Sequence, residues 1–387
     1  MRMRKKVCIV ASSEMTIKAF LLYQIKETMN HYDVTVIVNA KPDFLDQYNM
    51  ETSIITVAIQ RRISLVDDVK ALFQMITIFK KKRFDIVHSY TPKAGMLAMI
   101  AAWVNRIPIR IHTFTGQVWA TRTGVGRIIL KLADTITAST ASYVIADSPS
   151  QMEYITEQGV VSQRKSSVIG KGSVTGIDID RFQTNTDYRS AIREALQLPN
   201  GAFVFLFLGR LNRDKGVIEL TKAFNQLCEM NHDSYLLIVG PDEEDMLTHM
   251  QQLCSQWEKR VRYVQYTSLP EAYMNASDVL CLPSYREGFG NVIIEAASVG
   301  IPAIGSNIYG VSDAIENGIT GLLFEKGNWQ ELYQAMLSLY SNQETTKKLG
   351  EQAKERVYQH FRQEHVVGKV LHFYEQAIYK VNNERNS

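Results

Sequence analysis

Short apolar runs alternate with amphipathic stretches along almost the whole chain. In the first half, strand-like runs fall at 6–11, 33–39, 53–59, 85–90, 109–114 and 143–148. Stretches with helical spacing lie between them, notably 65–79, 93–105 and 125–140. Residues 170–200 break this rhythm, with Gly-rich GKGSVTGIDIDRF followed by polar TNTDY. The alternation restarts at VFLFLGR (204–210) and continues through strand-like runs at 234–240, 261–266, 279–284, 302–306 and 321–324. Helical segments 217–230 and 291–299 lie between these runs, and from 329 the pattern is helical to near the end. Alternation of this kind predicts parallel α/β layers. The fold class is therefore α/β, with two doubly wound domains joined near 183–200.

Length agrees with that division, because 387 residues suit two domains better than one. Hydrophobic residues make up 45 % and charged residues 21 %, enough apolar content for two cores. Cys8, Cys228, Cys254 and Cys281 are widely spaced and form no C-x-x-C, so a reducing cytoplasm fits better than a disulfide framework or a zinc site. The basic start MRMRKK precedes only five apolar residues, too few for a secretory signal. No run approaches the roughly 18 apolar residues of a spanning helix. The expectation is a soluble or peripheral protein.

Charge adds an asymmetry. Residues 1–190 carry 25 Lys and Arg against 16 Asp and Glu, and the remainder carries 18 against 24. A basic first half suggests an anionic partner there: a membrane surface, a lipid phosphate or nucleic acid. Lys80, Lys81, Lys82 and Arg83 form the densest cluster, with Arg61 and Arg62 and the set Arg122, Arg127 and Lys131 elsewhere. The Lys80–Arg83 cluster reads equally well as a solvated helix end before a buried strand.

The most telling segment is EGFGNVIIE, bounded by Glu287 and Glu295. Glu287 follows a strand-like run, and Gly288 and Gly290 let backbone N–H groups approach a ligand closely. An apolar helical pattern then begins. A helix start favours phosphate, and carboxylates accept hydrogen bonds from hydroxyls, so the segment suits a sugar attached to a diphosphate. Eight helical residues would span roughly 12 Å, so the two glutamates read as opposite ends of one ligand rather than an acid–base pair about one bond. In GRLNRDKG, Arg210 and Lys215 flank a turn after a strand and are expected to reach one anionic group.

In the first half, His112 is taken to close a strand, as is His88, and a ring there has access to a ligand at the strand ends. Lys93 begins a helix and faces either an anion or solvent. Gly172, Ser173 and Gly176 read as an interdomain loop. Asp178 and Asp180 imitate a metal-binding D-x-D, but no strand delivers them to a site, and no cluster has metal-ligand spacing. ASSEMTIKAF after the first strand is no dinucleotide fingerprint, and the Walker and G-x-S-x-G motifs are absent.

FLGRLNRDKG (207–216), LLIVG (236–240) and the run from 276 to 324 that contains EGFGNVIIE resemble family 4 of the retaining, nucleotide-sugar-dependent glycosyltransferases, which have the GT-B architecture. HSYTPKAG, IHTFTGQVW and GKGSVTGIDIDRF further resemble bacterial enzymes of O-antigen, capsule and other surface polysaccharides. The resemblance implies an acceptor-binding domain at 1–185, a nucleotide-sugar domain at 186–362, and a helix at 363–387 crossing back to the first domain. Val366, Val370, Phe373, Ala377 and Val381 recur at helical spacing there, which suits the crossover or, alternatively, a membrane-surface helix.

By the same resemblance, Arg210 and Lys215 hold the donor diphosphate, Glu287 binds the transferred sugar and Glu295 the ribose. Gly209, Gly288, Phe289, Gly290, Asn291 and Val292 line the sugar and phosphates, partly through backbone N–H groups, Gln265 and Tyr266 border the base, and His112 lies near the reacting sugar. Ser12, Ser13, Lys93 and Gly116 are assigned to the acceptor. The first loop departs from the family, having Ser12-Ser13-Glu14 where many relatives have glycines. The implied activity is retaining transfer from a UDP-type sugar, an N-acetylated hexosamine among the options, to a polyprenyl-diphosphate-linked glycan. It is expected to need no cofactor or divalent metal and to take place on the inner face of the plasma membrane. A nucleotide-sugar epimerase and a non-catalytic nucleotide-sugar binder are the alternatives. Nucleic-acid binding finds no supporting module.

Overall fold

The computed structural model describes residues 4–60, 64–199, 201–230 and 233–386, with Arg385 and Asn386 described for backbone only; Arg61 and Arg62 lie outside the described residues. The chain forms two compact units, one comprising residues 1–176 with 363–387 and the other residues 177–362.

Unit 1 has a seven-stranded sheet among the described residues. Its strands are β1 (Lys6–Val10), β2 (Asp33–Val38), β3 (Ser53–Thr56), β4 (Ile86–Tyr90), β5 (Ile109–Phe114), β6 (Tyr143–Ala146) and β7 (Ser166–Val168). All pairings are parallel, in the order β3-β2-β1-β4-β5-β6-β7. Parallel strands covered on both faces need continuous apolar runs, which is why β1 carries Val7, Cys8, Ile9 and Val10 in succession. Helices α1 (Leu22–His31), α2 (Leu65–Lys82), α3 (Pro92–Val104), α4 (Gly124–Thr140) and α5 (Pro149–Glu157) return the chain between strands. Ser148 caps α5 by accepting from the Gln151 amide, and Pro149 occupies its first turn. The terminal helix Gln363–Asn386 groups with this unit and buries Val366, Val370, Tyr374 and Ala377 beside Val7 and Ile9.

Unit 2 repeats the plan with β8 (Phe203–Leu208), β9 (Ser234–Val239), β10 (Val261–Val264), β11 (Val279–Leu282), β12 (Ala303–Ser306) and β13 (Gly321–Phe324). Its parallel sheet runs β10-β9-β8-β11-β12-β13. The first division between units falls between Gly176 and Ile177, earlier than a boundary at 185/186. Ile177 and Phe182 are buried in unit 2, and the Ile177 amide donates to the Phe361 carbonyl. The polar stretch taken for a linker is a helix, Thr186–Ala195. Asn185 caps it by accepting from the Asp187 and Tyr188 amides.

Candidate functional site

In unit 2 the chemistry gathers where β8, β9 and β11 end. After β8 the chain turns through Gly209, whose amide donates to the Val239 carbonyl. Lys215 and Gly216 then lead into the helix Val217–Glu229. Gly216 has φ 66°, and a Cβ there would meet the Pro283 carbonyl oxygen at 2.0 Å. Glycine therefore lets the Lys215 turn lie against the segment that carries Glu287. The Tyr285 amide donates to the Asp214 carbonyl at 2.7 Å, tying the same two segments.

Lys215 and Glu287 meet directly: the ammonium lies 2.5 Å from Glu287 Oε1, with side chains 19 % and 14 % exposed. Ser284 donates to the same oxygen at 2.8 Å. Arg210 does not share an anion site with Lys215 in this state. It forks onto Glu243, at 3.0 and 3.1 Å, and Asn212 also donates to Glu243. A shared anion for Arg210 and Lys215 thus has to displace carboxylates. Glu243 and Ser284 escaped the sequence reading. Glu243 stands in PDEED just beyond β9, a placement that could have marked it.

Beyond Glu287, the helix Asn291–Val299 starts after Gly290 and aims its first amides at the same strand edge. Phe289 presents its backbone, not its side chain, to this edge. Its side chain is fully buried, 5.3 Å from the Phe361 ring, so only its backbone is available to a ligand. Val292 likewise packs against the core. Glu295 sits in a polar group with Arg181 and Glu271, where Arg181 holds Glu271 at 2.9 Å. Desolvation pushes the Glu295 carboxyl up to about 7, opposed by Arg181 and reinforced by Glu271. Gln265 and Tyr266 follow β10 and are exposed.

Unit 1 treats its polar residues differently. His88 and His112 do not close their strands; each stands two residues before the end, at 88 of β4 and 112 of β5. Both rings are 1 % exposed. His88 Nδ1 is 2.6 Å from the Tyr374 hydroxyl, and its Nε2 is 2.7 Å from Thr113 Oγ1. His112 Nδ1 is 2.9 Å from Ser89 Oγ. A Cβ on Gly95 would lie 2.2 Å from His112 Cε1, so glycine leaves the ring its place under α3. Burial lowers both histidines to about 3, and the nearby His112 adds to the effect on His88, so both are neutral at physiological pH.

The residues assigned to the acceptor occupy this unit as well. Lys93 is bound to Asp68 at 2.8 Å, with both side chains largely covered. Ser13 caps a short turn by accepting from the Thr16 amide, and the Glu14 carboxylate accepts from the Lys41 amide, which pins the first loop to the loop after β2. Ser12 is part-buried beside it, and Gly116 turns the chain after β5 with φ 111°. Asp178 accepts from the Asp180 and Arg181 amides, a turn-forming role. Lys80–Arg83 ends α2, where cations complement the helix dipole. Among the described residues, no group of three His, Cys, Asp or Glu side chains could hold a metal ion, and the four cysteines are free and buried.

Two parallel doubly wound units of this kind recur in solved structures. HepE of Anabaena, crystallised with UDP and glucose, superposes with a TM-score of 0.80 at 20 % identity, over 96 % of this chain and 100 % of that one. The fold is thus that of the GT-B glycosyltransferases. A family model described as "Glycosyl transferase 4-like domain" matches residues 20–172, and one described as "Glycosyl transferases group 1" matches residues 189–356. The capsular polysaccharide biosynthesis glycosyltransferase CapM of Staphylococcus aureus is 32 % identical over 84 % of this chain and 85 % of its own length. The UDP-Gal:alpha-D-GlcNAc-diphosphoundecaprenol alpha-1,3-galactosyltransferase of Escherichia coli is 30 % identical over 72 % of each. The chain belongs to glycosyltransferase family 4 and is a glycosyltransferase.

Proposed function

We propose that the chain transfers a sugar from a nucleoside-diphosphate donor, of the UDP type, to a polyprenyl-diphosphate-linked glycan in surface-polysaccharide synthesis, with retention of configuration. The observation that carries the reading is the Lys215–Glu287 ion pair beside the start of the helix Asn291–Val299. A diphosphate has the charge to exchange partners with that pair. It would take Lys215, with Arg210 leaving Glu243 to join it, and it would free Glu287 to accept from sugar hydroxyls. Glu295 is assigned to the ribose, and Gln265 and Tyr266 to the edge of the base. The UDP-sugar and lipid-linked substrates in the E. coli relative's name support the choice of donor and acceptor.

The chemical step breaks the bond between the anomeric carbon and the diphosphate oxygen as the acceptor oxygen bonds to the same face. The acceptor proton passes to the departing phosphate. Charge rises on the diphosphate along this path, and Lys215, Arg210 and the helix amides stabilise it, which is the role a divalent ion would otherwise fill. His112, neutral and held by Ser89, is assigned to hydrogen bonding with a sugar or phosphate oxygen, and Ser12, Ser13, Lys93 and Gly116 to the acceptor side. Unit 1 is accordingly the acceptor-binding half and unit 2 the donor half. The enzyme works at the cytoplasmic face of the membrane.

Purified protein offered a set of nucleotide sugars with a polyprenyl-diphosphate-linked acceptor in EDTA tests this. The expected result is nucleotide release and an α-linked product without added metal. Donor binding with no transfer to any such acceptor would contradict the reading, as would strict restoration of activity by Mg²⁺ or Mn²⁺.

A further inference from the structure

Helix α4 of unit 1 is turned inside out. Its inward face carries Asp134, which accepts from the Trp119 indole at 2.8 Å, and Thr137. Its outward face carries Val125, Ile128, Ile129 and Leu132, each between 55 % and 71 % exposed. Spacings of three and four residues place these four in one stripe. Helix α2, whose inward face is the apolar Ala71, Met75 and Phe79, also has an outward apolar stripe, with Leu65, Val66, Val69 and Phe73 between 50 % and 80 % exposed. Both helices pack against α3 on one face of the sheet. Both return antiparallel to the strands, and both stripes occupy the first half of their helix, so they share one edge of the unit. These two half-helices hold eight of the 19 exposed large hydrophobic side chains among the described residues. Scattered exposed apolar residues are ordinary, whereas a cluster of this kind marks a surface that meets something.

The charges around the stripes select the partner. Lys70 and Arg122 are exposed beside them, and Arg127 and Lys131 lie over the Trp119 ring. The acids on the same helices are engaged: Asp68 with Lys93, Asp67 with the Ser64 hydroxyl, and Asp134 in the interior. Unit 1 as a whole carries 26 Lys and Arg against 16 Asp and Glu. A second copy meeting this face would bring like charge against like. An anionic leaflet accepts both the apolar side chains and the flanking cations.

We propose that unit 1 seats on an anionic lipid bilayer through the outward faces of α2 and α4. This deepens the lipid-linked-acceptor reading and depends on it for its purpose, though the surface is defined by exposure and charge alone.

The test is flotation of the full-length protein with phosphatidylcholine vesicles, with or without 30 % phosphatidylglycerol and free of polyprenyl lipid. The variants are Ile128→Gln/Ile129→Gln/Leu132→Gln and Lys70→Glu/Arg122→Glu. Wild type is expected to float with the anionic vesicles and to be released by salt. The apolar triple variant should bind at least ten-fold more weakly, and the charge variant should lose about five-fold per residue on anionic vesicles. All substituted positions are at the surface, so the melting temperature should hold. UDP affinity and transfer to a short-chain acceptor dispersed in detergent should also be unchanged, which separates this surface from the transferase reading. Wild-type-like flotation of the triple variant would overturn the proposal. So would wild type remaining unbound, or a wild-type dimer in sedimentation that the triple variant abolishes.

Discussion

The two units share a topology and handle polar chemistry in opposite ways. Unit 2, with 17 Lys and Arg against 24 Asp and Glu, sets its candidate residues at strand ends as exchangeable ion pairs, Lys215 with Glu287 and Arg210 with Glu243. Unit 1 is strongly basic overall, yet its two candidate histidines are neutral and buried. His88 and His112 are fixed by Tyr374, Thr113 and Ser89. A charged ligand can be gripped by groups that already hold an opposite charge and can trade it. Neutral buried groups can orient a ligand but offer little charge compensation. The proposed diphosphate recognition is therefore assigned to the acidic unit, where Arg210 and Lys215 stand beyond the end of β8.

The largest effect is expected at Lys215. Lys215→Ala should lower kcat by roughly 10²–10³-fold in a transfer assay, since it removes charge stabilisation of the leaving group. Arg210→Ala should lose about as much, near the lower end of that range, because its side chain is the more exposed of the two cations. Equal activity in wild type and both variants would remove the contrast between the units.

Acid should separate the units thermodynamically. The two histidines have folded values near 3 against about 6.5 unfolded, so the unfolded state binds the extra protons. Their contribution is complete above about pH 6.5 and is lost as pH falls toward 3. Asp134, pushed up to about 7 by burial against its hydrogen bond from Trp119, has the reverse sign: the folded state keeps its proton between about 4 and 7. From pH 6.5 to 5, two histidines outweigh one aspartate, a net loss on the order of 2 kcal/mol for unit 1. Glu295, also near 7, makes unit 2 more stable over the same interval. Scanning calorimetry should show one transition falling and another holding or rising on acidification. His88→Gln should reduce the fall. Parallel movement of both transitions would blur the comparison.

Smaller effects test how His112 is held. Gly95→Ala should push the ring aside and cost about ten-fold in kcat, in keeping with displacement of a positioned group by an ångström or less. Ser89→Ala should lower kcat by a few-fold, leave KM for the donor unchanged and alter the pH profile, and Ser89→Thr should restore it. Loss of stability alone, with normal kcat, would make Ser89 a packing residue.

Much of this was legible in the sequence. Strand runs with both faces buried announce themselves, and β5, β13 and the helix Asn291–Val299 fall where the pattern put them. EGFGNVIIE and GRLNRDKG marked the proposed donor edge because glycines and charges at strand ends leave a local signature. The pairings did not show, since Lys215 and Glu287 lie 72 residues apart and His88 and Tyr374 lie 286 apart, and periodicity carries no information on such contacts. Nor did the orientation of α4. A stripe at helical spacing says that a helix has two faces, but burial decides which one faces in, and here Asp134 and Thr137 take the inside. The burial of the Phe289 ring was hidden for a related reason: a motif expects backbone at the ligand, and only packing shows that the ring enters the core.

The central claim is that the acidic unit grips the donor through its diphosphate. Calorimetric titration of UDP and of uridine into wild type and Lys215→Ala tests it most directly. Wild type should prefer UDP by about 100-fold or more, with a preference that weakens in salt, and Lys215→Ala should bind the two within a few-fold of each other. A Lys215→Ala protein that keeps the wild-type preference for UDP would contradict the account.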